Sequence, residues 1–336
     1  MLDEDVLILS ARSCRKVHHV SYDTVLGMEN SFVKAGANLK LFSKNIDFLN
    51  KVLHKLKIKY RMFDYKICKE LKDKNVFFIA MGVDDLVQYK RELNFIARNN
   101  TLGIYCFDVW ESKYDQYKKL FDFICPKLIF FAYKEAWKYF KKDFNSFFIP
   151  QSMDSAYFFP RKCKKSRLFI QIGRRNEKIH NLILEYLKQN NMTVTDENYL
   201  FEKQKGKILF PNTDDLATEI ARSKYFIAAP QSCENTKLTG RVSDVTARFY
   251  EAMACKTMII GYKPDTFDEL FPKDAMIDLN GEEKTFDEVI TFWEEHPEEY
   301  ESVINRNYEL VMEYHTWSKR YEFVKKGFEE SICKID

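Results

Sequence analysis

The feature that most constrains this chain is a rhythm. Short runs rich in β-branched and aromatic residues alternate with longer segments of helical period, and the alternation runs through the first half and then restarts. Parallel strands need a long crossover between them, and a helix is the usual one, so the rhythm predicts open parallel sheets covered by helices. In the first half it predicts strands at Val6–Ser10, Asn38–Phe42, Val76–Met81, Gly103–Asp108, either Phe121–Cys125 or Leu128–Phe131, and Phe147–Ile149. A helix over Asp23–Ala35 should stop at Gly36, the residue that best tolerates the left-handed conformation of a helix end. In the second half strands are expected at Leu168–Ile172, Gly206–Phe210, Tyr225–Ala229, Thr257–Gly261 and Ala275–Leu279, with a helix over Glu177–Gln189. From about Phe286 the chain reads as helices, broken at Pro297.

The expected fold is therefore α/β: two Rossmann-like doubly wound domains facing a cleft. A chain of 336 residues is long enough for two cores. The stretch IPQSMDSAYFFPRKCKKSR, bracketed by Pro150 and Pro160, reads as the connection. The expected division is residues 1–150, residues 151–315, and a final helix at 316–336 packing back on the first domain. Ligands of such sheets bind beyond the carboxyl ends of the strands, so function is sought there.

Composition excludes several classes. With 46% apolar and 31% charged residues, only ten Gly and eight Pro, the chain is neither disordered nor collagen-like. The eight cysteines form no C-x-x-C pair and, Cys14 with His18 aside, none lies near a histidine at ligand spacing, which argues against zinc. Cys106 and Cys255 sit in apolar runs, as buried free thiols of a reducing compartment do, and the expected location is cytoplasmic. The acidic start MLDEDVLILS does not resemble a signal peptide, and no apolar run is long enough to span a bilayer. Net charge is only +3, so nucleic acid is not the expected partner. Charge is nonetheless uneven. Residues 44–74 hold ten Lys/Arg against four Asp/Glu, with Phe48, Tyr60, Phe63 and Tyr65 interleaved, whereas residues 281–301 hold nine acids and one Lys. The basic segment is either a solvated helical face or a contact for an anionic surface.

Two stretches carry chemistry. Gly173-Arg174-Arg175-Asn176-Glu177-Lys178 follows an apolar strand and opens a helix. A helix start offers free N–H groups and the positive dipole end, glycine lets a ligand approach the backbone, and Arg174 with Lys178 adds positive charge: a combination suited to a diphosphate. The second stretch is TGRVSDVTARFYEAMACKTMIIG, residues 239–261. Gly240 leads to Ser243 or Asp244, both good N-caps, then to a helix whose stripe of Phe249, Ala252 and Met253 is apolar, then to a buried strand. Asp244, Arg248 and Glu251 recur at helical spacing on the other face. A carboxylate at Glu251 can accept both hydroxyls of a ribose, and Thr246, Arg248 and the helix start can meet sugar or phosphate oxygens. The plain alternative is an exposed stripe of ion pairs.

RFYEAMACKTMIIG resembles the nucleotide-binding signature of GT-B glycosyltransferases, in particular their family 4-like and spore-protein glycosyltransferase-like groups, in which a Glu before an A-M-A-x-G turn holds the ribose. IPQSMDSAYFFP is similar to the interdomain segment of that family, IGRRNEK to its G-R-x-K phosphate element, and HTWSKRYEFVKKGF to its terminal helices. The resemblance covers roughly residues 140–330. It implies transfer of a sugar from a nucleotide-sugar, with a UDP-sugar first among the donors, to a saccharide or lipid-linked glycan, with no metal or other cofactor and with an anionic membrane face as a further partner. Three positions depart from the pattern: Lys256 replaces the usual Gly, Ser243 replaces a Glu eight positions before Glu251, and Lys178 comes one residue early. Retaining and inverting outcomes both stay open, with Asp244 a substitute for the missing acid. A phage-type enzyme glycosylating DNA bases, or a GT-B module without turnover, are the other readings.

In the first half, GIYCFDVWESKYDQY places Asp108 and Trp110 at the end of a strand, as a general base or hydroxyl ligand and a sugar-stacking surface respectively; a helix cap is the plainer role for the Asp. The loop with His18 and His19 follows the first strand and is a further acceptor-side candidate. The D-x-D form of Asp3-Glu4-Asp5 precedes its strand, the wrong end for a site, and Asp84-Asp85 reads as a helix cap. P-loop, G-x-S-x-G and G-x-G-x-x-G patterns are all missing from the sequence.

Overall fold

A computed structural model describes residues 6–12, 20–57, 62–173, 175–202, 209–210, 212–233, 236–280 and 285–333. The chain forms two units, one of Met1–Pro150, Lys237–Val242 and Arg320–Asp336, the other of Gln151–Thr236 and Ser243–Lys319. Against the expected division, the short stretch 237–242 joins unit 1, and the C-terminal segment of that unit starts at Arg320 and not at 316.

Unit 1 holds a parallel six-stranded sheet of β1 (Val6–Ser10), β2 (Asn38–Leu41), β3 (Asn75–Ala80), β4 (Thr101–Cys106), β5 (Leu128–Phe131) and β6 (Ser146–Phe148), in the order β2-β1-β3-β4-β5-β6. Its helices are α1 (Val20–Lys34), α2 (Lys44–Lys55), α3 (Tyr65–Glu70), α4 (Val83–Asn99), α5 (Tyr114–Ile124) and α6 (Lys134–Phe140). Every residue of β3 and β5 is buried, as strands covered on both faces require. Of the two readings offered by the sequence, Leu128–Phe131 is the strand, whereas Phe121–Ile124 ends α5, where every third or fourth residue is buried: Tyr114, Tyr117, Leu120, Phe121 and Ile124. Helix α1 ends as expected, with Gly36 at φ +107° and the Ala37 N–H donating to Phe32 O.

Unit 2 holds a parallel five-stranded sheet of β7 (Arg167–Gln171), β8 (Tyr199–Phe201), β9 (Ser223–Ala228), β10 (Met258–Gly261) and β11 (Ile277–Asp278), ordered β11-β10-β9-β7-β8. Its helices are α7 (Glu177–Gln189), α8 (Thr213–Ala221), α10 (Ala247–Ala254), the single turn α11 (Phe267–Leu270), α12 (Phe286–Glu295) and α13 (Pro297–Tyr314), with Pro297 in the first turn of α13; the single turn α9 (Thr236–Thr239) lies in unit 1 from Lys237 onward, and α14 (Trp317–Cys333) from Arg320 onward. Neighbouring strand residues feed opposite cores. Phe169, Tyr225 and Met258 face α7, α12 and α13, while Ile170, Phe226 and Ile259 face α8 and α10. The strand expected at Gly206–Phe210 is not found: 206–208 lie outside the described residues, and Leu209 and Phe210 belong to no strand. Its place beside β7 is taken by β8, where Tyr199 and Leu200 are buried against Phe169 and Ile170.

Within unit 1, α14 packs closely because of glycine. A Cβ on Gly103 would stand 2.7 Å from the Phe328 ring, and one on Gly327 2.9 Å from Phe130. The ring pairs Phe32–Tyr321 and Phe77–Phe328 complete the contact.

Candidate functional site

In unit 2 the strand order reverses at β7, which is flanked by β8 and β9, so a crevice opens at its carboxyl end. There Gly173 adopts φ +87° and its N–H donates to Glu202 Oε1 at 3.1 Å. Glu202 follows β8 directly and is half-buried. Burial pushes its carboxyl up, opposed by the Gly173 N–H and by the charge of Arg248. Asn176 caps α7 by accepting the Ile179 N–H, and Arg175 pairs with Glu177 at 2.9 Å while lying over the Phe201 ring. Beneath this turn the Tyr199 hydroxyl donates to Gln171 Oε1 at 2.7 Å and lies 3.1 Å from His180 Nδ1. Burial, then the nearby Arg175, holds the His180 imidazole below its ordinary range.

Helix α10 begins later than its sequence suggests. Thr246 is the N-cap, without a side-chain bond, and Ser243 and Asp244 lie before the helix. The cause is competition: Val245 N–H donates to Thr266 Oγ1, Ala247 N–H to Gln151 Oε1, and Asp265 N–H to Ser243. These outside partners hold 243–246 extended. Asp244 is therefore not on one helical face with Arg248 and Glu251; it is buried ahead of the helix. Arg248 and Glu251 do meet, in a close ion pair, with the glutamate side chain only 6% exposed and the arginine 28%. The pair is mostly sheltered, unlike the exposed stripe weighed as the plainer reading. At the other end of α10, Lys256 stands at φ +53°, with its N–H on Met253 O and the Thr257 N–H on Ala252 O. This is a Schellman end that glycine fits best.

In unit 1, Asp108 follows β4. Its Oδ1 accepts the Tyr133 hydroxyl at 3.1 Å and its carbonyl accepts that of Tyr117 at 2.9 Å, while the Trp110 ring lies 4.8 Å from that of Tyr133. Glu111, next along, accepts the Arg241 N–H at 2.8 Å and lies 3.6 Å from its guanidinium. Gly240, at φ +60°, fits only without a side chain, since a Cβ would come 1.9 Å from Glu111 Oε2. Gly240 thus belongs with Glu111 to unit 1, whereas the other donor candidates belong to unit 2.

Arg174, His18, His19 and Asp3–Asp5 lie outside the described residues. Lys178 is exposed in the first turn of α7, and Asp85 caps its own turn by accepting the Met81 N–H. Cys106 and Cys255 are buried free thiols, and burial pushes Cys255 up to about 12, which leaves it unreactive. Among the described residues no three His, Cys, Asp or Glu side chains are grouped to hold a metal ion, and no helix is long and apolar enough to cross a membrane. Sequence reasoning missed Glu202, Tyr133 and Glu111. Glu202 was hidden because β8 was placed several residues too late; Glu111 stood in a quoted motif, one residue from Trp110.

Comparison with known proteins follows this geometry. The family model described as glycosyl transferase-like matches residues 174–326. It is a general model and does not single out family 4. No curated protein sequence matches the chain. Solved structures share the fold at low identity. HepE of Anabaena in complex with UDP-glucose superposes with a TM-score of 0.60 at 11% identity, covering 97% of this chain and 99% of that one. The N-terminal domain of Candida albicans trehalose-6-phosphate phosphatase gives 0.61 at 10%, over 98% and 97%. The T4 phage BGT in complex with UDP and Mn2+ gives 0.53 at 11%, over 97% and 99%.

Proposed function

We propose, from the premise that this chain is a glycosyltransferase of GT-B fold whose residues 174–326 form its glycosyl transferase-like domain, that unit 2 binds a nucleotide-sugar and unit 1 its acceptor. The observation that carries the donor side is the sheltered Arg248–Glu251 pair, whose arginine acts on Glu202 at the end of β8. Glu251 takes the ribose hydroxyls, its carboxylate oriented by Arg248. Gly173, Arg174, Lys178 and the start of α7 take the diphosphate. UDP is the first nucleotide to test, since the HepE and T4 phage structures named above hold UDP-glucose and UDP.

Catalysis in this reading is electrostatic. As the bond from the sugar to the diphosphate breaks, its electron pair passes to the departing phosphate oxygen, and the cations and N–H groups assigned to the diphosphate meet that charge as it forms. An acceptor hydroxyl attacks the sugar carbon and its proton passes to Asp108, whose carboxylate is oriented by Tyr133. Trp110 offers an apolar ring face to a sugar. The scheme requires no metal. Transfer that survives EDTA supports it; activity lost to chelator and restored by magnesium or manganese removes it.

The acceptor is read as a saccharide or lipid-linked glycan presented at an anionic membrane. On α2, Phe48, Leu49 and Val52, followed by Leu56, are exposed, with Lys44 and Lys55 beside them; Phe48 is 65% exposed. Apolar residues with flanking lysines are what an interfacial helix presents. Co-sedimentation with anionic liposomes, reversed by salt and reduced when Lys55, Lys57, Lys59 and Arg61 become Gln, is the expected result. Equal partitioning of both proteins would leave a water-soluble acceptor, and a steeply salt-dependent affinity for duplex DNA would favour DNA as the acceptor.

A further inference from the structure

The Gly173 N–H is the backbone donor that a diphosphate would meet first, and it is already taken. Glu202 Oε1 accepts it at 3.1 Å, from the end of the neighbouring strand. The same carboxylate stands in the field of Arg248, the cation that pairs with Glu251. An anion is therefore seated among the groups assigned to the donor, and like charge would oppose a phosphate entering beside it. A carboxylate is not needed there to hold the backbone in shape, because the helix start has its own cap in Asn176 and, among the described residues, none stands within 4 Å of where a Gly173 side chain would point.

We propose that Glu202 is a built-in stand-in for the donor phosphate: its carboxylate accepts the Gly173 N–H and must be displaced from it when the nucleotide-sugar binds. The inference rests on the donor reading above and adds a residue to it. Its consequence is selective. Glu202 weakens binding of the diphosphate and leaves binding of the nucleoside unchanged, which keeps the phosphorylated product from remaining bound after transfer. A residue that only shaped the turn would affect both ligands alike, since both need an intact edge.

The test is calorimetric titration of UDP and of uridine into the wild type, Glu202→Gln and Glu202→Ala. Loss of the charge should tighten UDP by about tenfold, the scale of one like-charge contact in a partly solvated site, with uridine unchanged. Unchanged UDP affinity in both variants, or parallel weakening of UDP and uridine, overturns the proposal while the donor reading stands. A wild type that binds none of UDP, GDP, ADP or CMP overturns the donor reading itself. Should a variant misfold, a crystal structure of the wild type with UDP decides: Glu202 displaced from Gly173 N supports the proposal, and Glu202 still bonded there beside a bound diphosphate refutes it.

Discussion

The carboxyl edges of the two sheets are built from different chemistry. In unit 1 the edge after β4 is aromatic and hydroxyl-bearing: Asp108 is held by Tyr133 and Tyr117, and Trp110 lies beside Tyr133. In unit 2 the edge is ionic: Glu202 accepts the Gly173 N–H, Arg175 pairs with Glu177, and Arg248, paired with Glu251, acts on Glu202. The topologies are alike, each sheet reversing direction at its first strand, so the backbone does not explain the contrast. Side chains do. Rings and hydroxyls suit a neutral sugar, whereas cations and backbone donors suit a charged diphosphate. Under the proposed reading, two similar scaffolds divide one reaction between a neutral and a charged partner.

The largest expected effects would break that contrast directly. Asp108→Asn should slow transfer by about a hundredfold or more, the range of a lost general base, and leave nucleotide affinity as it was. Glu251→Ala should do the reverse, weakening nucleotide binding, and it should also destabilise unit 2 by about 2 kcal/mol, since it strips a partner from a half-buried Arg248. Steady-state kinetics with calorimetry separates the two; a Glu251 variant that binds normally would remove the donor assignment.

Next in size is Gly240→Ala. It forces a side chain onto a left-handed residue and into Glu111, so a loss of about 2 kcal/mol is expected by denaturant unfolding. A neutral result would mean that the Glu111–Arg241 contact is not formed in solution.

A pH experiment sharpens the ionic side. Burial and Arg175 lower the imidazole pKa of His180 in the folded protein, so the unfolded chain takes up that proton more readily. The stability contributed by neutral His180 is complete above its ordinary value of about 6.5 and is lost as pH falls below it. Melting temperature should therefore drop more steeply between pH 7.5 and 5.5 in the wild type than in His180→Gln, and equal slopes would remove the argument.

The smallest effect expected is a gain. Lys256→Gly relieves the left-handed strain at the end of α10 but gives up the contact of its ammonium with the Tyr308 ring at 5.1 Å, for a net rise of about 0.5 kcal/mol.

How much of this was legible in the sequence follows the same division. Strands with fully apolar runs, such as β3 and β5, announce themselves because both faces are buried. Helix α7 was readable to the residue because Asn176 caps its start and its apolar residues recur at helical spacing. The start of α10 was not, because distant Gln151 and Thr266 decide where it begins. Glu202 was invisible for a similar reason: only pairing between β7 and β8 brings it to Gly173. Lys256 is the converse, a departure in the sequence whose physical meaning, a strained φ, needed the backbone to show it.

The central claim is that the ionic edge of unit 2 is a nucleoside-diphosphate site. Titration of UDP into the wild type, Glu251→Ala and Asp108→Asn tests it most directly. The account predicts saturable one-to-one binding by the wild type, unchanged affinity in Asp108→Asn, and a loss of at least about tenfold in Glu251→Ala with the protein still folded. Equal affinity in all three proteins, or no binding to the wild type of any nucleoside diphosphate, would contradict it.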